Sequence, residues 1–121
     1  MEFNSKQPIY VQIAEKMIEN ILEEKWSEEE KIPSVRDLAM EVEVNPNTVM
    51  RTYSFLQEAD IIYNKRGIGY FVSPEAFSIV KEMKREEFIN EELPHVFRTM
   101  ELLDMGIGDI EKQYEHYHSG I

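Results

Sequence analysis

One stretch, from Lys31 to Val72, constrains the fold more than any other part of this sequence. It reads KIPSVRDLAMEVEVNPNTVMRTYSFLQEADIIYNKRGIGYFV. Two segments with apolar residues at helical spacing come first, with a short turn between them. Two short β-type runs follow, joined by a basic segment that contains glycine. This order predicts a helix, a tight turn, a second helix and a β-hairpin.

Local capping signals predict where both helices begin. Ser34 follows Pro33 and stands three residues before Asp37, which is close to a capping box. Asn45 repeats the signal, and Pro46 suits the first helical position because that N–H has no helical partner. The apolar faces that should point inward are Val35, Leu38, Ala39 and Val42 in the first helix, and Val49, Thr52, Tyr53 and Leu56 in the second.

Polar side chains are concentrated near the start of the second helix, on its other side. Asn47, Thr48 and Arg51 supply hydrogen-bond donors and acceptors there. In a helix-turn-helix, this end of the second helix meets base edges in the major groove. We therefore predict base contacts for these three residues.

The two β-type runs, Ile61–Tyr63 and Tyr70–Val72, predict a hairpin with its tip between Asn64 and Gly69. Lys65 and Arg66 lie at this tip, next to Gly67. Two cations beside a small residue suit close approach to phosphates or to a minor groove. The hairpin is thus expected to act as a wing.

The stretch resembles the winged helix-turn-helix of GntR-family bacterial transcription regulators, and most closely the short YtrA-type subfamily. The matching residues are Pro33, Ser34, Arg36, Leu38, Ala39, Val44, Thr48, Val49, Leu56, Arg66, Gly67, Gly69, Phe71 and Val72. The resemblance implies a homodimeric regulator whose DNA-contacting residues are Ser34, Arg36, Asn45, Asn47, Thr48, Arg51, Lys65, Arg66 and Gly67. Taken without this context, Arg36 would be interpreted as a surface ion-pair partner of Asp37 or Glu41.

Three positions depart from the family pattern. Glu43 and Asp60 occupy turn positions where glycine is usual, and Asp visits left-handed conformations more readily than Glu. Pro46 stands where larger members often carry an arginine. The absence of that arginine leaves more of the expected contact to Arg51.

The net charge of −11 is at first sight unfavourable for a nucleic-acid partner. Its distribution is uneven, however. Residues 1–30 carry three basic and eight acidic side chains, residues 31–73 carry five of each, and residues 74–121 carry five and eleven. The excess negative charge therefore lies outside the central stretch. We expect strong salt dependence and modest non-specific affinity for DNA.

The segment before the central stretch predicts one amphipathic helix that begins after Pro8. Its main apolar stripe is Ile9, Ile13, Met17 and Ile21. Trp26 should fill the core beyond this helix. The glutamate-rich segment from Ser27 to Lys31 is interpreted as a solvated loop.

The segment after the wing predicts helices with too much apolar surface for their size. One helix should begin at Ser73–Glu75 and run to about Glu92, with a kink or break at Pro94. A second should stop at Gly106, and a short one should span Asp109–His118. Their apolar side chains need a partner, which is most simply a second copy of the chain. The alternative is a monomer whose C-terminal segment folds back on its own winged helix-turn-helix.

The sequence shows no signs of catalytic or metal chemistry. There is no cysteine, no phosphate-binding glycine loop and no paired nucleophile and base. His116 and His118 flank Glu115, but they face different directions on a helix. No cofactor is predicted. The methionine-rich C-terminal surface could hold a small-molecule effector at a dimer interface, although helix packing explains it more simply.

These observations predict a mostly α-helical protein with a small β-hairpin wing. Residues 1–73 are expected to form a winged helix-turn-helix DNA-binding domain, and residues 74–121 a helical dimerisation segment. The expected function is sequence-specific transcription regulation in the cytoplasm, by a repressor that binds a palindromic operator as a homodimer. The alternative is a winged-helix module that binds proteins and not DNA. No run is apolar enough to cross a membrane.

Overall fold

The computed structural model describes residues 7–120, and the chain divides into two compact units between Met83 and Lys84. The elements, in chain order, are α1 (Ile9–Leu22), α2 (Val35–Val42), α3 (Pro46–Glu58), β1 (Ile62–Lys65), β2 (Gly69–Val72), α4 (Ala76–Glu87), a π-helical segment (Phe88–Glu92), α5 (Leu93–Leu102) and α6 (Ile107–His118). Among the described residues, no helix is both long and apolar enough to span a membrane.

Both predicted helix starts in the central stretch are confirmed. The Asp37 N–H donates to Ser34 Oγ at 3.1 Å, and the Asn47 N–H donates to Asn45 Oδ1 at 2.8 Å. Pro46 is the first residue of α3. Each cap satisfies an N–H group that has no partner inside the helix, and this fixes where α2 and α3 begin.

The inward face of α3 forms the centre of the first unit, as predicted. Val49, Thr52, Tyr53 and Leu56 are completely buried. The Tyr53 hydroxyl donates to Pro33 O at 2.6 Å, and its ring meets that of Tyr70 edge to face at 4.9 Å. Burial raises the pKa of Tyr53, so its hydroxyl remains a donor at any ordinary pH. One side chain thereby ties α3 to the segment before α2 and to the wing.

The wing has the two predicted strands, a shorter tip than the sequence predicted, and an additional bridge to the segment before α2. β1 and β2 pair antiparallel, with Lys65 opposite Gly69, so the tip comprises only Arg66, Gly67 and Ile68. The segment before α2 also pairs with β2, because the Ile32 N–H donates to Tyr70 O at 3.0 Å and the Val72 N–H to Glu30 O at 2.9 Å. The predicted loop over Ser27–Lys31 is exposed throughout, as expected, but its last residues are held against β2 by these hydrogen bonds.

At both turn positions where the family pattern has glycine, an acidic residue adopts the left-handed conformation. Glu43 ends α2 with a φ of 56°, and Asp60 follows α3 with a φ of 62°. In each turn the next N–H reaches back five residues, from Val44 to Ala39 O and from Ile61 to Leu56 O. Both turns thus keep the tight geometry despite lacking glycine.

We expect Glu43→Gly to raise the free energy of unfolding by about 0.5–1 kcal/mol. Glycine has no steric penalty from a Cβ atom at this φ. The loss of that penalty stabilises the folded state by more than the added backbone entropy of glycine stabilises the unfolded chain. Urea denaturation measures the change. Glu41→Gly is the matched control: residue 41 is exposed inside α2, where glycine costs roughly 1 kcal/mol. A decrease in stability from both substitutions would contradict the prediction.

The first unit extends past the wing into α4. Ala76 and Val80 are completely buried in the same core as α1 and α3. The functional boundary proposed between residues 73 and 74 stays a prediction. The predicted helix start, with Ser73 as cap and Pro74 in the first turn, was slightly early, since α4 begins at Ala76, whose N–H donates to Ser73 O at 3.1 Å.

No break occurs at Pro94: α4 ends at Glu87 and not near Glu92, and the helical path continues through the π-helical segment into α5. The Leu93 N–H donates to Phe88 O, five residues back, because the helix widens into a π-helical segment ahead of a residue without an N–H. Gly106 does not end α5, which stops at Leu102. It caps α6 instead, donating its N–H to Asp109 Oδ2 at 2.8 Å, so α6 begins at Ile107 and not at Asp109.

Candidate nucleic-acid interface

The outward face of α3 carries a polar strip that begins at its N-terminus. Asn47 and Arg51 are exposed and lie opposite the buried Val49 and Tyr53. Ser54 follows three residues after Arg51 and is also exposed, so it extends the strip by nearly one turn. Sequence reasoning missed Ser54, although its spacing from Asn47 could have identified it. Asn47, Arg51 and Ser54 form what we call the recognition strip.

Thr48 differs from the other predicted base-contacting residues, because it is only half exposed. It lies between the recognition strip and the core, and its carbonyl oxygen accepts a hydrogen bond from Thr52 Oγ1 at 3.4 Å. A base contact from Thr48 stays a prediction. Its position suits a contact at the edge of the strip.

Arg51 is held in place by a residue from another helix. The guanidinium carbon lies 4.1 Å from the centre of the Tyr10 ring in α1. Thr52 Oγ1 donates to Tyr10 O at 2.7 Å, which fixes α1 against α3 at the same point. Stacking uses the face of the guanidinium and leaves its N–H edges free to donate. Sequence reasoning missed this contact, because Tyr10 and Arg51 lie in different helices.

The start of α2 presents a cation to solvent. Arg36 is exposed, and in the described part of the chain it forms no ion pair with Asp37 or Glu41. The oxygens of Ser34 and Asn45 accept the capping hydrogen bonds of α2 and α3, so both residues have a structural role in addition to the predicted DNA contact. The Asn45 amide group and the Ser34 hydroxyl hydrogen are left as donors.

The wing ends in an exposed, cationic turn. The Ile68 N–H donates to Lys65 O at 2.9 Å, and Gly67 has a φ of 80°, a conformation that other residues rarely adopt. Lys65 Nζ lies 5.0 Å from the centre of the Phe71 ring. Lys65, Arg66, Gly67 and Ile68 are all exposed, so the tip can approach a nucleic-acid backbone without rearrangement.

The acidic residues of the central stretch do not all point away from the recognition strip. Glu58 is exposed seven residues after Arg51, which places it on the same side of α3 about two turns further on. The repulsion from Glu58 falls at the C-terminal end of the helix. The N-terminal half of the strip, with Asn47 and Arg51, therefore remains the part best suited to approach DNA.

The described residues contain no metal centre, and the second unit carries a partly apolar groove. Between residues 7 and 120, no group of three or more His, Asp or Glu side chains could hold a metal ion. In the second unit, a groove of about 450 Å³ is lined partly by Met100, Met105 and Ile110. The predicted effector at a dimer interface stays a prediction.

Similar proteins were found by sequence and by structure. The family model described as "Bacterial regulatory proteins, gntR family" matches residues 9–72. The HTH-type transcriptional regulator YhcF of Bacillus subtilis is 40% identical over 83 residues, which are 69% of this chain and 68% of YhcF. The HTH-type transcriptional repressor YtrA of the same organism is 40% identical over 80 residues, which are 66% of this chain and 62% of YtrA.

Solved structures agree with these matches. A GntR-family transcriptional regulator from Bacteroides thetaiotaomicron is 42% identical with a TM-score of 0.78, over 93% of this chain and 97% of the other. The DNA-binding domain of AraR, solved in complex with the operator ORX1, is 25% identical with a TM-score of 0.56, over 60% of this chain and 93% of that domain. This chain therefore belongs to the GntR family of bacterial transcription regulators and carries its winged-helix DNA-binding domain.

Proposed function

We propose that this protein is a repressor that binds a palindromic DNA operator as a homodimer in the cytoplasm. The observation that carries the proposal is the recognition strip, in which Arg51 is fixed by stacking on Tyr10 while its donor edges stay free. Asn47 and Arg51 enter the major groove, where Asn pairs well with adenine and Arg with guanine. Arg36, Lys65 and Arg66 contact the backbone or the minor groove.

Two of the similar proteins support a DNA-binding repressor. The AraR domain was solved with its operator, and YtrA of B. subtilis is named a repressor. Repression requires only that a bound protein block access to a promoter. A chain that offers a DNA-reading domain and a short helical unit is suited to that task.

The homodimer is proposed from the apolar surface of the second unit. Met100 is the one buried apolar side chain between residues 84 and 120. Large apolar side chains remain exposed there, namely Phe88, Ile89, Val96, Phe97, Leu102, Leu103, Ile107 and Ile110. Such a surface needs a partner. A second copy related by two-fold symmetry would present two recognition strips to the two halves of a palindrome.

Selection from a randomised double-stranded DNA pool tests the proposed function. The wild-type protein is expected to enrich a palindromic sequence, because each protomer reads one half-site. The Arg51→Ala, Arg66→Ala double variant is expected to abolish the enrichment. Both substituted side chains are exposed, so the variant should fold normally, and circular dichroism checks this.

Two results would count against the proposal. If the wild-type protein enriches no sequence at low salt, DNA recognition by the free protein is wrong, and the protein-binding alternative gains. Enrichment of a single, non-palindromic half-site would retain DNA recognition but contradict the two-fold assembly.

A further inference from the structure

Lys31 lies on the wing, although α2 and α3 separate it from the hairpin in the sequence. It forms an isolated antiparallel bridge with Phe71, and the adjacent Ile32 N–H donates to Tyr70 O at 3.0 Å. The segment before α2 therefore lies along the free edge of β2, where Lys31 is held by this bridge. This arrangement adds a cation to the wing that the hairpin sequence itself does not contain.

The side chain of Lys31 crosses Gly69. A Cβ atom added to Gly69 would lie 3.1 Å from Lys31 Cε and 3.8 Å from Lys31 Nζ, and Gly69 has a φ of 143°. A larger residue here would displace the lysine. Gly69 thus provides the space in which the stem of Lys31 lies against the sheet.

Lys31 and Lys65 occupy the same face of the wing. Gly69 pairs with Lys65, and directly paired residues in antiparallel strands point to one face. Lys65 Nζ lies over the ring of Phe71, which is two residues from Gly69 and so shares this face. The opposite face packs inward, where Ile62 and Val72 are buried.

The positive charges of Lys31 and Lys65 on this outer face are not neutralised by neighbouring carboxylates in the part of the chain that the structure describes. Lys31 and Lys65 are exposed, and neither forms an ion pair with a described carboxylate. Glu29, two residues before Lys31, has a carboxylate that accepts a hydrogen bond from the Tyr63 hydroxyl at 3.0 Å. Glu29 lies toward the base of the wing, since its N–H donates to Val72 O, away from the tip.

We propose that Lys31 is a DNA-phosphate contact and that it forms one cationic row along the wing with Lys65 and Arg66. This inference rests on the proposed function, because it adds a contact to the same protein–DNA interface. Phosphate contacts hold a protein in register on the duplex without reading sequence. Lys31 therefore contributes to affinity for all DNA and to its salt dependence.

The test uses Lys31→Met, which keeps an unbranched stem over Gly69 but removes the charge. Binding to the selected operator and to unrelated DNA is measured from about 50 to about 300 mM NaCl, a range over which screening by salt increases strongly. The slope of log K against log salt is expected to become shallower by about 0.9 for each phosphate that is no longer neutralised, or about 1.8 for a dimer. Operator and unrelated DNA are expected to be weakened equally.

Two variants serve as controls. Lys81→Met removes the same charge from an exposed lysine in α4, so it reports the effect of net charge alone and should leave the slope unchanged. Lys31→Arg keeps the charge and should keep the slope. Thermal unfolding of Lys31→Met at the wild-type temperature confirms that the variant keeps its fold.

The outcomes separate this inference from the proposed function. If the wild-type protein binds its operator and Lys31→Met keeps the wild-type slope, the inference is wrong and the proposed function stands. An equal change in slope from Lys81→Met, or weakening confined to the operator, would also overturn it. Failure of the wild-type protein to bind DNA at any salt concentration would overturn both.

Discussion

Replacing Arg51 with alanine is expected to weaken binding to the selected operator by about 1–3 kcal/mol for each half-site, which is roughly 5- to 150-fold. Both half-sites of a palindrome are affected, so the effect on a dimer is about twice as large in free energy. In the proposed complex, Arg51 donates two parallel hydrogen bonds to one base, and the Tyr10 ring 4.1 Å away orients its guanidinium. Fluorescence anisotropy with labelled operator measures the change.

The specificity of this effect is as informative as its size. Arg51→Ala should weaken the operator much more than unrelated DNA, and it should reduce discrimination at one base position in each half-site. Arg66→Ala, at the wing tip, should weaken both DNAs by similar factors if Arg66 contacts the backbone, as phosphate contacts do not read sequence. Arg85→Ala is the matched control, since Arg85 is exposed on α4 and lies outside the proposed interface. Equal weakening of both DNAs by Arg51→Ala would reassign Arg51 to a phosphate contact.

Much of the first unit could be predicted from sequence because its signals are local. A capping side chain lies within three residues of the N–H it accepts from, so Ser34 and Asn45 could be identified without knowledge of the fold. The inward face of α3 follows from helical spacing in the same way. The resemblance to the GntR family then joined these local elements into a winged helix.

Contacts between distant segments account for what the sequence did not reveal. The segment Glu29–Ile32 carries no strand pattern in the sequence, so only its hydrogen bonds to β2 reveal that it belongs to the wing. Tyr10 and Arg51 lie in different helices, and no spacing rule connects them. The same holds for Lys31 and Gly69. Each of these features supports the candidate interface, and each depends on tertiary packing.

The turns at Glu43 and Asp60 are an intermediate case. Their positions were predicted from the family pattern, but the pattern has glycine at both. The positive φ values at both residues show that the backbone keeps the left-handed geometry, which is strained for a residue that carries a Cβ atom. The hydrogen bonds from Val44 and Ile61 are local, so the turn can form around either residue type.

The second large effect is expected from charges placed on the apolar surface of the second unit. The Phe97→Glu, Leu103→Glu double variant should be monomeric at concentrations where the wild-type protein is dimeric. Phe97 is 47% exposed and Leu103 is 62% exposed, so the unit itself does not depend on burying them. In a dimer interface, an unpaired carboxylate is stripped of its hydration and costs several kcal/mol. Sedimentation equilibrium measures the mass.

Disruption of the dimer should also reduce affinity for the palindromic operator by about 10²- to 10⁴-fold, because the two half-sites are no longer bound by linked domains. Affinity for an isolated half-site should change little, since the recognition strip is intact.

The Lys112→Gln, Gln113→Glu double variant makes the net charge more negative by the same amount at exposed polar positions of α6, and it is expected to remain dimeric. If the wild-type protein is a monomer and binds only one half-site, the second unit has a role other than dimerisation. If the Glu-substituted protein stays dimeric, the interface lies elsewhere in the chain.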